Sequence, residues 1–241
     1  MDFTASVWIG FDHREAQAFA VCRHSIRRRL TQPIPVKGIV LSDLERMGVY
    51  KRPWERRGEA GQLWDLISEA PQSTEFAITR FLTPLLAKTG WALFLDCDIL
   101  ARCSIARMFE LVNPKYAVMC VKHNHIVPAA SMKMDGQLQV PYSRKNWSSV
   151  MLFNVDHPSN RKLTHELINT VPGRDLHRFC WLEDEEIGEL DPEWNYLVGH
   201  TKIDHEPKLV HFTDGVPFMR GYEHCEYADD YRRELELWAA A

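Results

Sequence analysis

A chain of 241 residues with 45% hydrophobic and 26% charged side chains is long enough to bury a sizeable core and too apolar to be a disordered segment. Its net charge of −4 comes from interspersed signs, so no global field favours nucleic acid as a partner. The six cysteines (Cys22, Cys97, Cys103, Cys120, Cys180, Cys225) are scattered, without a CxxC pair or zinc-ligand spacing, and several lie in apolar runs; with no long apolar stretch for a signal peptide or membrane span, this predicts a cytoplasmic protein.

Residues 6–11 read as a buried strand, and Asp12-His13-Arg14-Glu15 has the spacing of a capping box that opens a helix to about Arg29. A second strand is predicted over 36–41, then a short helix from Ser42-Asp43-Leu44-Glu45. The polar, tryptophan-bearing stretch 50–62 is longer than a connection needs and is expected to be a functional loop. Its run Lys51-Arg52-Pro53-Trp54-Glu55-Arg56-Arg57 reads either as a solvated face or as a basic rim for phosphates or anionic lipid headgroups, the second giving a peripheral membrane contact. Residues 76–88 carry apolar side chains at helical spacing, with Gly90 as the stop. Residues 91–95 form a continuous apolar run, the pattern of a strand buried on both faces. Ser104 caps a predicted helix to about Val112, and strands follow at 116–121 and 150–155. Between them, 122–147 is irregular and rich in His, Lys and Met. A helix over 158–171, a strand over 208–212 and a terminal helix from about Glu223 complete the pattern. Strands alternating with helices predict an α/β fold, one domain over residues 1–241, with a mostly parallel sheet flanked by helices.

The segment Leu93-Phe94-Leu95-Asp96-Cys97-Asp98-Ile99-Leu100 carries the most chemistry. Along an extended chain Asp96 and Asp98 point the same way and Cys97 the opposite way. They stand where a buried strand gives out, and in open α/β sheets the carboxyl ends of strands border the ligand crevice. Neighbouring carboxylates repel and burial penalises both, objections that a hard divalent cation removes; otherwise each aspartate caps a turn. A DxD after an apolar strand also occurs in haloacid-dehalogenase-type phosphatases, but there it stands near the start of the chain with Thr or Val where Leu100 stands here.

Five segments, in order, resemble the GT-A glycosyltransferases, and among them the family 8-type, retaining, LPS-galactosyltransferase-like enzymes. Val7-Trp8-Ile9-Gly10-Phe11-Asp12 resembles their first strand; Thr79-Arg80-Phe81-Leu82-Thr83-Pro84-Leu85-Leu86 resembles the RF-x-x-P-x-L helix before the DxD. Trp147-Ser148-Ser149-Val150-Met151-Leu152-Phe153-Asn154 is similar to their N-A/S-G-hydrophobic-N strand beside the sugar, and Trp181-Leu182-Glu183-Asp184-Glu185-Glu186-Ile187 to their acidic D-Q-D segment. Lys208-Leu209-Val210-His211-Phe212 resembles their late K-h-h-H element. The resemblance implies a Rossmann-like GT-A sheet with the DxD at the end of a central strand, and sugar transfer from a UDP-sugar with retention to a saccharide, lipid-linked or protein acceptor. On that reading the acceptor is expected to approach over the irregular 122–147 segment and the C-terminal region. It implies Mn²⁺ or Mg²⁺ held by Asp96, Asp98 and His211, and a donor site including Asp12, Arg80, Trp147, Ser148, Ser149 and Gly215. It also implies that Asp184 contacts the sugar and that Glu185 is a nucleophile or electrostatic stabiliser. The sequence departs from the pattern at Ser149, where glycine is common, and at Glu185, where glutamine is common. The segment Thr213-Asp214-Gly215-Val216-Pro217-Phe218 lacks the lysine that often meets the diphosphate.

By residue chemistry alone, Arg80 is either structurally paired or aimed at phosphate or sugar hydroxyls. Asp12 either caps a helix or borders a nucleotide, and Trp147 either packs or stacks on a sugar. The rival functions are a nucleotidyltransferase, a phosphatase, or a catalytically inactive nucleotide-sugar-binding protein. A nucleotidyltransferase usually has a Gly-rich basic loop after the first strand, whereas Gly10-Phe11-Asp12-His13-Arg14 has one glycine.

Overall fold

The computed structural model describes residues 3–59, 61–123, 144 and 146–241. In chain order its regular elements begin with β1 (Ala5–Gly10), α1 (Ala16–Arg29), β2 (Val36–Ile39), α2 (Leu41–Arg46), β3 (Trp54–Arg57), β4 (Gln62–Asp65) and β5 (Ala70–Pro71). Next come α3 (Thr83–Ala87), β6 (Trp91–Leu95), β7 (Ile99–Ala101), β8 (Val118–Cys120) and β9 (Val150–Asn154). The last are α4 (His165–Thr170), α5 (Gly173–His177), β10 (Ile187–Glu189), β11 (Tyr196–Leu197), β12 (Leu209–His211) and α6 (Ala228–Ala239).

Six strands form the main sheet in the order β10-β8-β9-β6-β1-β2. The pairs β1–β2, β1–β6 and β8–β10 are parallel, and β9 runs antiparallel to both neighbours, β6 and β8. The apolar run predicted at 91–95 is the central β6, buried at every residue because both faces are covered. Two consequences of strand direction position the site. The carboxyl ends of β1 and β6 lie at one edge of the sheet, and because β9 is antiparallel its amino end, preceded by Trp147–Ser149, lies at that same edge. A second sheet, β11-β12-β7, starts immediately after the DxD: Leu209, Val210 and His211 pair with Ala101, Leu100 and Ile99.

Several elements differ from expectation, each for a local reason. The predicted helix over 76–88 is a 3₁₀ turn (Thr79–Leu82) followed by the short α3. Pro84 has no N–H to give the Arg80 carbonyl, and Thr83 Oγ1 takes that acceptor instead at 2.6 Å. The predicted helix over 158–171 breaks at Leu163: a 3₁₀ turn (Pro158–Lys162) ends there, and Thr164 caps α4 by accepting from Leu167 N at 3.1 Å. The segment after Ser104 is likewise 3₁₀ (Ile105–Glu110), and the terminal helix starts at Ala228, not Glu223, after the left-handed Gly221 and Tyr227. The stretch 50–62, expected to be a loop, contributes β3 and part of β4 to a small antiparallel sheet.

That sheet also redistributes the basic run. Arg52 is not on a rim: it is 2% exposed, forks onto Asp65 at 2.7 and 2.6 Å, and donates to the carbonyls of Ile168 and Val171. Arg57 lies over the Trp64 ring at 4.1 Å and pairs with Glu55, while Arg56 faces Glu75 at 3.5 Å. Arg52, Arg56 and Arg57 thus each face an acidic partner, and Arg52 is withdrawn from the surface, whereas Lys51 is exposed. Of the irregular stretch 122–147, residues 124–143 and 145 lie outside the described residues. No described helix is long and apolar enough to cross a membrane.

Candidate functional site

The chain leaves β6 at Leu95, turns through Asp96-Cys97-Asp98 and re-enters extended structure as β7. Two backbone bonds pin this turn: Asp96 N donates to Ser149 O and Phe212 N donates to Asp98 O, each at 3.0 Å. The first comes from the β6–β9 pairing carried one step further, the second from β7–β12. The DxD is therefore stapled to the two segments that bring Ser149 and His211 alongside it. Ligand atoms of Asp96, Asp98 and His211 all lie within 4.8 Å of one another, and His211 Nε2 is 3.2 Å from Asp98 Oδ1.

Asp96 and His211 are each held by a further partner. Arg80, 5% exposed, sits over the rings of Phe76 and Phe94 and places one guanidinium nitrogen 2.8 Å from both Asp96 Oδ1 and Ser148 O. Asn195, fully buried, sets its Oδ1 2.9 Å from His211 Nδ1 and donates from Nδ2 to Ser149 Oγ at 2.9 Å. Burial works against a charge on His211, but Asp98, with Asp96 behind it, more than offsets this and raises its pKa.

The cluster carries an excess of negative charge. Glu15 reaches in from the start of α1, accepting from the Cys97 thiol at 3.0 Å, and its carboxyl is pushed up to about 7 by burial and by Asp98, with Asp12 and Asp96 adding to the effect. Asp98 Oδ1 is buried against His211 Nε2 and, among the described residues, accepts no hydrogen bond of good geometry. Oxygen donors in excess, one imidazole, and a buried carboxylate oxygen without a donor fit a hard divalent cation bound by Asp96, Asp98 and His211.

No protein-family model matches the chain. It is 43% identical over 236 residues to Protein CDI of Arabidopsis thaliana, covering 95% of this chain and 85% of that protein. The chain belongs to the Protein CDI family. The chain's fold is placed by solved structures: the WbbM bifunctional glycosyltransferase (TM-score 0.62, 16% identity, covering 98% of this chain) and GlyE of Streptococcus pneumoniae TIGR4 (0.62, 12%, 99%). The galactosyltransferase LgtC, solved with donor and acceptor sugar analogues, gives 0.57 and 12% over 96% of this chain and 95% of its own. The chain spans half the length of the WbbM chain and 62% of the GlyE chain. The fold of this Protein CDI relative is GT-A, as the resemblance in its sequence implied.

The remaining predicted residues divide into two groups. Ser148 belongs to the cluster, its carbonyl on Arg80 and its Oγ 2.7 Å from His177 Nδ1, and Ser149 joins it through Asn195. Trp147 precedes them, half-buried, with the Arg144 and Lys122 cations 5.5 and 5.7 Å from its ring. Asp12 stands at the same edge, but its carboxylate is fully buried and accepts from Arg14 N, Nε and a terminal nitrogen and from Glu75 N. These donors hold its pKa below the ordinary value in spite of burial. Gly215 lies under the Tyr222 ring, which a Cβ would meet at 2.7 Å; its N–H donates to the Phe212 carbonyl.

Asp184 and Glu185 are not brought to the metal cluster. Their 3₁₀ turn enters β10 at its amino end, whereas Asp96 lies past the carboxyl end of β6, and β10 and β6 run the same way. Among the described residues Asp184 is linked back by Arg144, which pairs with it and lies 5.5 Å from the Trp147 ring; Glu185 is exposed. Glu183 and Glu186 close a reciprocal capping box around the turn.

Sequence reasoning missed Glu15 and Asn195. The first was read as the return half of a capping box, yet Asp12 alone caps the turn and Glu15 faces Cys97. Asn195 had a signal that was overlooked, a polar amide between Trp194 and Tyr196 in an otherwise buried run.

Proposed function

We propose that this protein is a metal-dependent glycosyltransferase that moves a sugar from a UDP-sugar, with retention, onto a saccharide, lipid-linked or protein acceptor. The observation that carries the reading is the convergence of Asp96, Asp98 and His211 at the carboxyl edge of a GT-A sheet. Mn²⁺ or Mg²⁺ at these residues would supply a Lewis acid for the negative charge that builds on a diphosphate leaving group.

The chain's own residues prepare that chemistry in three ways. Asp96 and Asp98 are fixed by backbone bonds on both sides of the turn, so little conformational entropy remains to be lost on ligation. Arg80 offsets part of the carboxylate repulsion and presents a planar cation at the floor of the site, suited to phosphate or sugar oxygens. The Trp147–Ser149 turn lies beside it as the surface for the donor sugar. For the carboxylate that orients sugar hydroxyls we favour Asp184, which Arg144 ties to Trp147, over Glu185, for which the described residues give no such tie.

Release of sugar from a panel of UDP- and GDP-sugars, with Mn²⁺, by the wild type and Asp98→Ala tests the reading. Metal-dependent hydrolysis of a UDP-sugar that Asp98→Ala lacks supports it. Equal rates in the two proteins, or none with any donor while simple phosphate esters are cleaved, contradicts it.

A further inference from the structure

Hydrogen-bond direction around His211 can be followed from one end to the other. Ser149 Oγ is 2.7 Å from the Asn146 carbonyl, which can only accept, so the single hydroxyl proton of Ser149 points there. Towards Asn195, 2.9 Å away, Ser149 Oγ is then an acceptor and must face the amide nitrogen. That fixes the orientation of the Asn195 amide, which shape alone leaves ambiguous, and turns its oxygen to His211 Nδ1 at 2.9 Å. An amide oxygen cannot donate, so Nδ1 carries the proton and the lone pair of the neutral ring is on Nε2, the nitrogen 3.2 Å from Asp98. All three residues are buried, so water does not compete for these bonds.

We propose that Ser149 and Asn195 are positioning residues that lock His211 into its Nδ1–H tautomer and so present Nε2 as a ready metal ligand. The proposal rests on the metal-dependent reading above and gives a use to Ser149, which stands where the resembled pattern commonly has glycine. A glycine there would leave the Asn195 amide nitrogen with only the longer contact to the Asn146 carbonyl, at 3.5 Å, to orient it. The ring could then take the opposite tautomer, donating from Nε2 to Asp98, and a cation would have to displace that proton before binding.

The ring can be read without metal. In the metal-free protein carrying ¹⁵N-labelled histidine, at alkaline pH where the imidazole is neutral, the expected His211 spectrum shows Nδ1 protonated and Nε2 bare; His211→Gln assigns the signal. Asn195→Ala should shift the ring towards the Nε2–H form and weaken Mn²⁺ binding, titrated calorimetrically, by roughly 10- to 100-fold. Ser149→Ala should move both readouts the same way by less. Asn195→Asp, which keeps an oxygen facing Nδ1, should restore the wild-type tautomer. A wild-type ring protonated at Nε2 overturns the proposal, as does unchanged Mn²⁺ affinity in both Asn195→Ala and Ser149→Ala. Failure of the wild type to bind Mn²⁺ at all instead overturns the metal reading, because the tautomer is decided separately.

Discussion

Two acidic clusters in this molecule look alike as sequence and unlike as structure. Asp96 and Asp98 stand between two strands, backbone-bonded on both sides, with side chains 16% and 19% exposed and partners in Arg80 and His211. Asp184 and Glu185 ride on a three-residue 3₁₀ turn before an edge strand, and the Asp184 side chain is 80% exposed. Solvent reaches both of these carboxylates and Arg144 pairs with Asp184, so their charges cost little and call for no cation. The first is desolvated and under-compensated, as the raised pKa of Glu15 reports, and a cation is the group that would relieve it. Immobilised carboxylates with excess charge, more than acidity in the sequence, mark the metal site.

The largest effect expected from breaking this contrast is at Arg80. Arg80→Ala removes the cation bonded to Asp96 and leaves Ser148 O without that donor; loss of one partner of a buried pair costs about 3–5 kcal/mol, to be measured by urea unfolding of the metal-free protein. A smaller effect is expected where a buried carboxylate is already matched by cations. Glu234, 1% exposed, is held by Arg28, Arg29 and His24, which bring its pKa down to about 2 in spite of burial. Its folded pKa lies below its unfolded value of 4.5, so its contribution is present above that value and is lost as pH falls towards 2. The stability gap between wild type and Glu234→Gln should accordingly be full at neutral pH and close in acid. Smaller still, Mn²⁺ at a hundred times its Kd should stabilise the wild type by about 2.7 kcal/mol and leave the thermal midpoint of Asp98→Ala unmoved. At the bottom of the scale, Asp184→Asn and Glu185→Gln should each shift stability by less than about 0.5 kcal/mol and leave Mn²⁺ affinity unchanged. A larger loss of either in these two would erase the contrast.

Much of the scaffold was legible because its signals are local. The apolar run of β6 and the carboxylates after it required no tertiary information, and β1, α1 and β9 stand where periodicity put them. What escaped was too short or too contextual to have a period. Strand β7 has three residues and exists because β12 pairs with it, and β11 has two. The hairpin of β3 and β4 hides in a polar sequence because its arginines lie over tryptophan rings and pair with glutamates, and only Leu63 and Asp65 of β4 are buried. Pro84 and Thr83 turned a predicted helix into 3₁₀ and α pieces, a choice that depends on a single missing N–H. At the site, Asp96, Asp98, Arg80 and Ser148 could be named from pattern and resemblance. Asn195 and Glu15 act through side chains far apart in sequence, and their roles appear only when β12 and α1 are packed.

Calorimetric titration of UDP into the purified protein, with Mn²⁺ and then with EDTA, for wild type and Asp98→Ala, tests the central claim most directly. The cluster of Asp96, Asp98 and His211 predicts binding that needs the metal and that Asp98→Ala abolishes. Binding of equal strength in EDTA, or in the variant, would show that this cluster holds no metal needed for nucleotide binding; no binding of UDP, GDP or any other nucleoside diphosphate would contradict the transferase reading itself.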